Sequence, residues 1–318
     1  MKKGMFSRGL SIASQRLVVL KYLALGLLAL VVMLAACGRS ASERRAKETP
    51  ADGFYGTSTA VRTQSSSTVE RAAESGTAQI VRMYEIPAPL TDRPEQILQC
   101  KGFTISYNRT TKTPNWVAWH LTKSHTYGKS SREMQEFCED ASVGTPRATL
   151  DDYYNSRYDR GHMCPAGDNK WSEEAMTQSF LLTNICPQNH GLNKNSWNDL
   201  EQECRSWARE YGAVDIVCGP IYRTATYSNG VMKASAQQRY IGKNRVWVPD
   251  AFFKVVLCRN RNPKAIGFIY ENRGGQQPIE QTATTVDEVE RLTGIDFFPE
   301  LDDKTEARVE AQSRISDW

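Results

Sequence analysis

The sequence predicts one α+β domain spanning roughly residues 81–300. Three observations carry that expectation. Short aromatic and β-branched runs recur from about Ile80 onward, two segments carry the caps and spacing of helices, and no internal repeat is visible. With 318 residues, 40% hydrophobic and 9% aromatic, the chain has enough apolar surface for one sizeable core, and its aromatic content argues against wholesale disorder. No apolar run reaches the ~20 residues of a spanning helix, which excludes a polytopic membrane protein.

Taken in order, residues 1–36 read as a targeting segment. Lys2, Lys3, Arg8, Arg16 and Lys21 precede an uncharged apolar run from Tyr22 to Ala36. Those fifteen residues would rise about 22 Å as a helix, short of the ~30 Å hydrocarbon core, so a cleavable signal fits better than a spanning anchor. The run ends Leu34-Ala35-Ala36-Cys37, then Gly38, which resembles the lipobox of bacterial lipoproteins. That resemblance implies lipidation at Cys37, export to the cell envelope and anchoring to a bacterial membrane, in the first instance the outer one. The competing reading is an ordinary secretory signal with a chance cysteine. Residues 37–80, rich in Ser, Thr, Ala, Glu and Arg, read as a flexible tether.

Within the domain, Phe103–Tyr107 and Trp116–Thr122 read as strands joined by the turn-rich Asn108–Pro114. Ala213–Cys218, Val246–Cys258 (interrupted by Pro249) and Ala265–Tyr270 are further runs of strand length. A helix is expected from about Asn195 to Tyr211, stopped by Gly212. A second runs from Val286 to Thr293, with Thr285 and Glu288 as a capping box and Gly294 as its stop. Residues 301–318 read as a charged tail.

Charge and cysteine content narrow the chemistry. Residues 81–286 hold 25 basic against 21 acidic residues, and residues 287–318 hold 4 against 10. The modest basic excess permits a polyanionic substrate without demonstrating one. Eight cysteines stand at 37, 100, 138, 164, 186, 204, 218 and 258. Setting a lipidated Cys37 aside leaves an odd number, so at least one thiol stays free in an exported chain. The absence of any C-x-x-C pair, with only four histidines, disfavours a thiolate zinc site.

Between Tyr158 and Arg209 the residues stop looking generic. Asp159-Arg160-Gly161-His162 is followed by Asn184 in the apolar run Phe180–Ile185, then by Leu192 through Glu201 and Arg205. Asn193, Trp197, Glu201 and Arg205 are spaced by four, so on a helix they form one slowly drifting stripe. An amide oxygen, a carboxylate and a guanidinium on one stripe suit a hard divalent cation and a phosphate. Asn193 and Glu201 would nonetheless stand ~12 Å apart along the axis, so Glu201 would reach such an ion only through water. One protein ligand with several retained waters suits Mg²⁺, with Mn²⁺ as a substitute.

Asp159–His162, Asn184–Gln188 and Leu192–Glu201 resemble the motifs of the DNA/RNA non-specific endonucleases. Pro114–Trp119, Cys218–Ile221, Ile241–Asn244, Val248-Pro249 through Phe252–Val255, and Thr293–Pro299 extend the similarity over about residues 100–300. The resemblance implies a ββα-metal nuclease fold with a mixed or antiparallel sheet. It implies His162 as general base toward water attacking phosphorus, Asn193 as Mg²⁺ ligand, Glu201 holding metal-bound waters and Arg205 pairing with phosphate. Arg160 and Asp159 would shape the His162 strand, and Asn184 would order the site. Implied products carry a 5′-phosphate and a free 3′-hydroxyl. DNA and RNA would be substrates, and a homodimer fits the same resemblance. A further upstream phosphate-binding arginine is expected in some relatives, with Arg147 the candidate. Cys164 and Cys186 depart from the commonest family pattern; each precedes a proline, and a disulfide between them is expected.

Plainer readings stand beside these. His162 could be structural, Asn193 a helix N-cap, and Glu201 with Arg205 an exposed i, i+4 ion pair. Trp116, Trp119 and Trp197 read as core residues and His190 as surface. Two other functions compete: an envelope lipoprotein that binds nucleic acid without cutting it, and a phosphodiesterase acting on a small substrate.

Overall fold

A computed structural model of the chain describes residues 82–318. The leader over 1–36, Cys37 and the tether over 37–80 lie outside the described residues. Among those described, no helix is long and apolar enough to cross a membrane.

Each of the five expected runs contains a strand, with shifted edges, and the short strands at the sheet margins fall outside them. The strands are β1 (Gln96–Gln99), β2 (Thr104–Asn108), β3 (Thr113–Thr122), β4 (Asp159–His162), β5 (Ile185–Gln188) and β6 (Ala213–Ile221). After them come β7 (Thr226–Ser228), β8 (Val231–Lys233), β9 (Tyr240–Ile241), β10 (Val246–Trp247), β11 (Ala251–Cys258), β12 (Lys264–Glu271) and β13 (Ala283–Thr284). Seven form one sheet in the order β1-β2-β3-β6-β11-β12-β13, and every neighbouring pair is antiparallel, so the sheet is not mixed.

Two prolines explain where the edges moved. β3 begins at Thr113 rather than Trp116, and Pro114 is tolerated because its pairing with β2 shifts register between Ser106 and Tyr107. The run Val246–Cys258 breaks at Pro249 into β10, which pairs with β9, and β11, which lies inside the main sheet.

Side chains alternate along each strand, and the sheet is buried on both faces. One face carries Val117, Trp119, Ile216, Cys218, Phe252, Val256 and Phe268 against Trp197, Leu200, Cys204 and Trp207. The other carries Trp116, Ala118, Val217, Phe253, Val255 and Leu257 against Val286, Val289, Phe297 and Val309.

Among the described residues six helices flank the strands: α1 (Leu150–Tyr153), α2 (Glu173–Ser179), α3 (residues 190–211), α4 (Ile279–Thr282), α5 (Val286–Thr293) and α6 (Asp303–Glu310). α3 runs without a break from His190 to Tyr211: His190–Leu192 is α-helical, Asn193–Trp197 is a π-turn, and Asn198–Tyr211 is α-helical again. It therefore starts five residues before the expected Asn195. Its cap is Asn189, whose side chain accepts from Gly191 N at 2.9 Å, and it stops at Gly212 with φ +90°. α5 matches its expected span. Thr285 Oγ1 accepts from Glu288 N at 3.1 Å, but the Glu288 carboxylate takes Arg291 instead, so only half of the capping box forms.

Residues 301–318 are not a loose tail. They form α6 and a final turn; Val309 is buried, and the Trp318 ring sits 4.8 Å from that of Trp207. The large apolar residues of the segment, Leu301, Val309, Ile315 and Trp318, are too sparse for a local period to show.

The expected Cys164–Cys186 disulfide is absent: all seven described cysteines are free thiols. Cys186 sits opposite Gly161 on the β4–β5 ladder, while Cys164 lies three residues beyond Gly161, where Asn184 grips its backbone on both sides. Both thiols are buried, and that burial pushes them well above the ordinary thiol range.

Candidate active site

β4 and β5 pair antiparallel, with Asp159 opposite Gln188 and His162 opposite Ile185, and α3 follows at once: a β–β–α unit. Gly161 lets the two strands approach, since a Cβ there would meet Gln188 Oε1 at 2.2 Å. Asn184 lies in a 3₁₀ turn just before β5, fully buried. Its Oδ1 accepts from Cys164 N at 2.9 Å, and its Nδ2 donates to the carbonyls of Cys164 (2.9 Å) and Ser179 (2.8 Å). It fixes the path of the chain leaving His162 rather than facing the site.

His162, Asp159, Arg160, Asn193, Glu201 and Arg205 line one cleft of about 690 Å³. Arg132, Lys170 and Lys194 line it as well, giving five cationic side chains against two carboxylates.

The imidazole of His162 is held by aromatic packing. Its ring centroid is 5.2 Å from Phe137 and 5.0 Å from Phe180, the latter edge-to-face. The Arg160 guanidinium lies 4.7 Å from the Phe137 centroid, so Phe137 has both residues for neighbours. Nε2 is buried and has no hydrogen-bond partner, which leaves Nδ1 as the ring nitrogen with access to the cleft. Burial, aided by the Arg132 charge, lowers His162 to about 3. Burial thus favours the neutral ring, the form that can accept a proton.

Asn193 is oriented by Asp159. Its Nδ2 donates to Asp159 Oδ2 at 2.8 Å, and His190 Nδ1 meets the same oxygen at 3.0 Å. The amide NH₂ is thereby spoken for, and Oδ1 remains as an acceptor. His190 is exposed as expected, yet it also steadies the carboxylate that fixes Asn193.

The π-turn corrects the expected stripe. On an unbroken α-helix Asn193 and Glu201 would differ in direction by about 80°. The i→i+5 turn absorbs one extra residue, so Asn193, Asn198, Glu201 and Arg205 all line the cleft while Trp197 is sent into the core. Asn193 is inside the helix, not its N-cap.

Glu201 has no hydrogen-bond partner among the described residues, and burial raises it to about 7, against the opposing pull of Lys254 and Arg205. The feared Glu201–Arg205 surface pair does not form. Arg205 Nη1 instead donates to Asp168 Oδ1 at 2.8 Å; Asp168 is buried and also accepts from Trp119 Nε1 at 3.0 Å.

Arg147 is not at the site. It binds Glu139 and the Val143 carbonyl beside a separate small cavity, held there by its own acidic neighbour. The upstream arginine that lines the cleft is Arg132. Sequence reading also missed Phe137, Asp168 and Lys254. Lys254 is fully buried on β11, its Nζ unpartnered and 4.5 Å and 5.2 Å from the Trp197 and Trp119 ring centres. Only the lysine inside an otherwise apolar strand could have drawn attention to it.

The donors present fit a hard divalent cation: a free amide oxygen on Asn193 and an unpartnered carboxylate on Glu201, at one wall of a cleft otherwise basic.

Comparison with known proteins gives consistent results. The family model described as DNA/RNA non-specific endonuclease matches residues 83–304. Nuclease EXOG, mitochondrial, of Danio rerio is 37% identical over 218 residues, covering 65% of this chain and 63% of the relative. Endonuclease G, mitochondrial, of Homo sapiens is 33% identical over 211 residues, covering 65% of this chain and 70% of the relative. The chain thus spans less than two thirds of the length of the EXOG relatives it matches. A crystal structure of an EndoG/EndoGI complex superposes with a TM-score of 0.62 at 28% identity, covering 70% of this chain and 91% of that one.

Proposed function

The chain belongs to the DNA/RNA non-specific endonuclease family, and from that premise we propose that it is a Mg²⁺-dependent, sugar-non-specific endonuclease hydrolysing DNA and RNA to 5′-phosphate products. One observation carries the reading: the neutral imidazole of His162 and the oriented amide of Asn193 face the same basic cleft.

His162 Nδ1 takes the proton of the attacking water, while its buried Nε2 carries the ring's own hydrogen. Phe137 and Phe180 keep the ring plane fixed as the proton arrives. Asp159 turns Asn193 Oδ1 toward the cleft, and Glu201 supplies a carboxylate two turns further along the same wall; Asn193 would hold Mg²⁺ directly and Glu201 through bound water. When bound, Mg²⁺ neutralises charge on the phosphate and favours departure of the 3′ oxygen. Arg205, steadied by Asp168, turns its remaining donors to phosphate, and Arg132, Arg160, Lys170 and Lys194 extend that positive surface. Contacts of this kind read backbone and not bases, which suits cutting without sequence preference.

The test is to incubate the protein with plasmid and RNA in Mg²⁺ and again in EDTA. Both substrates are cut in Mg²⁺; chelation stops both, and His162→Ala slows both by about 10²–10⁴-fold. Cutting that survives chelation overturns the metal requirement. Binding without cutting favours the lipoprotein that only holds nucleic acid.

The leader sequence supports a tethered enzyme: an exported domain fixed to a bacterial membrane by lipid on Cys37. Cys37→Ser should move the protein from the membrane to the soluble fraction; unchanged fractionation removes the anchor from the proposal.

A further inference from the structure

The segment with 4 basic and 10 acidic residues, 287–318, is not used by the cleft. On the opposite sheet face, Asp287 and Glu290 project from α5 and Glu310 from the end of α6. One carboxylate oxygen from each lies within 4.8 Å of the others. Two oxygens each ~2.4 Å from a shared ion stand at most ~4.8 Å apart, so the three carboxylates are close enough to share a Ca²⁺ ion.

Proximity of acids alone would prove little. The second observation is Glu310 itself: it is 94% buried by area, and its Oε1 has no hydrogen-bond partner. Next to it, Val309 packs with Val289 and Phe297 in the apolar layer, so the backbone at this point is fixed and the carboxylate cannot swing into water. Among the described residues none of the three carboxylates has a salt bridge; the nearby arginine, Arg291, is committed to Glu288. Glu290 accepts only from Phe297 N, at 2.8 Å. The charged groups acting most strongly on Glu310 are Glu290, Glu306, Asp287 and Asp296, all acidic. Asp287 is exposed and leaves the cluster open to solvent.

We propose that Asp287, Glu290 and Glu310 form a second cation site, distinct from the cleft, that takes a hard divalent ion of calcium type and clamps α6 to α5. Water completes the 6–8 oxygen ligands that Ca²⁺ requires. The ion is structural: none of its ligands belongs to the cleft, so cleavage chemistry does not pass through it.

The experiment is thermal unfolding of the full chain, stripped with EDTA, with and without added CaCl₂. Asp287→Asn, Glu310→Gln and, as a cleft control, Asn193→Ala are run alongside. Calcium at about a hundredfold excess over its dissociation constant should raise the midpoint of the parent chain and of Asn193→Ala by roughly 5 °C. Asp287→Asn, an exposed change that leaves packing intact, should lose most of that rise while keeping Mg²⁺-dependent cutting. A parent chain that ignores Ca²⁺, or one whose rise is equalled by Asp287→Asn, overturns the site. If in addition Glu310→Gln is more stable than the ion-free parent, a shared proton is the occupant instead. Loss of nuclease activity in every protein tested would count against the cleft reading and not against this one.

Discussion

Glu201 carries two tasks that pull in opposite directions. Its carboxylate lines the cleft, half-buried and without a hydrogen-bond partner among the described residues, and desolvation holds it at about 7, above its ordinary 4.5. The folded state therefore favours the protonated form. The associated stability is full below about pH 4.5 and is lost as pH rises through about 7. In EDTA, Glu201→Gln should be more stable than the parent at pH 8 by about 1–3 kcal/mol, with no difference at pH 4.5; urea unfolding at both values checks it. His162 has the opposite sign: lowered to about 3, it contributes stability present above its ordinary 6.5 and lost as pH falls through about 3. Asp159 offers a cleaner handle on the proposed Mg²⁺ site. Asp159→Ala frees the Asn193 amide to turn over, and the Mg²⁺ concentration for half-maximal cutting should rise about 10–100-fold with the fold unchanged. A titration of cutting rate against Mg²⁺ measures it.

At the scale of elements, the π-turn in α3 decides which side chains meet. Deleting Asn195, an exposed residue of that turn, returns the segment to α-helix with Asn193 still on the cleft side. Inserting one alanine after Asn195 rotates Asn193 by about 100°. The insertion should cost at least about a hundredfold in cutting rate and the deletion far less, at equal helix content by circular dichroism. The turn also shows where sequence reading stopped. α5 was legible because Thr285, its apolar spacing and Gly294 all act within a few residues. β11 and β12 were legible as continuous apolar runs. β4 and β5, four residues each, are too short for a period to emerge, and only their motifs drew notice. The four-residue spacing from Asn193 to Arg205 was real, but one inserted residue redirected Trp197, and no local propensity announces that. From distant loops and strands Arg132 reaches the cleft, Phe137 the His162 ring and Lys254 the Trp197 ring, contacts that no local pattern encodes.

For the whole molecule, the C-terminal segment is part of the core. Cutting the chain after Leu301 removes buried Val309 and the Trp318 ring that packs on Trp207. Those contacts are worth about 2–4 kcal/mol together, so the shortened chain should unfold at a correspondingly lower denaturant concentration with an intact cleft. Arg205→Ala should cost about 3–5 kcal/mol in the same measurement, because it strands the buried Asp168 carboxylate.

The antiparallel sheet also sorts charge between its two sides. Arg132, Arg160, Lys170, Lys194 and Arg205 gather at the cleft, while the α5–α6 face carries Asp287, Glu290, Asp296, Glu306 and Glu310. In the field of a long polyanion such a body experiences a torque before any atom touches. It turns its basic cleft inward and its acidic back outward, so under the proposed nuclease activity a greater share of encounters begins in the productive orientation, and added salt erodes that advantage.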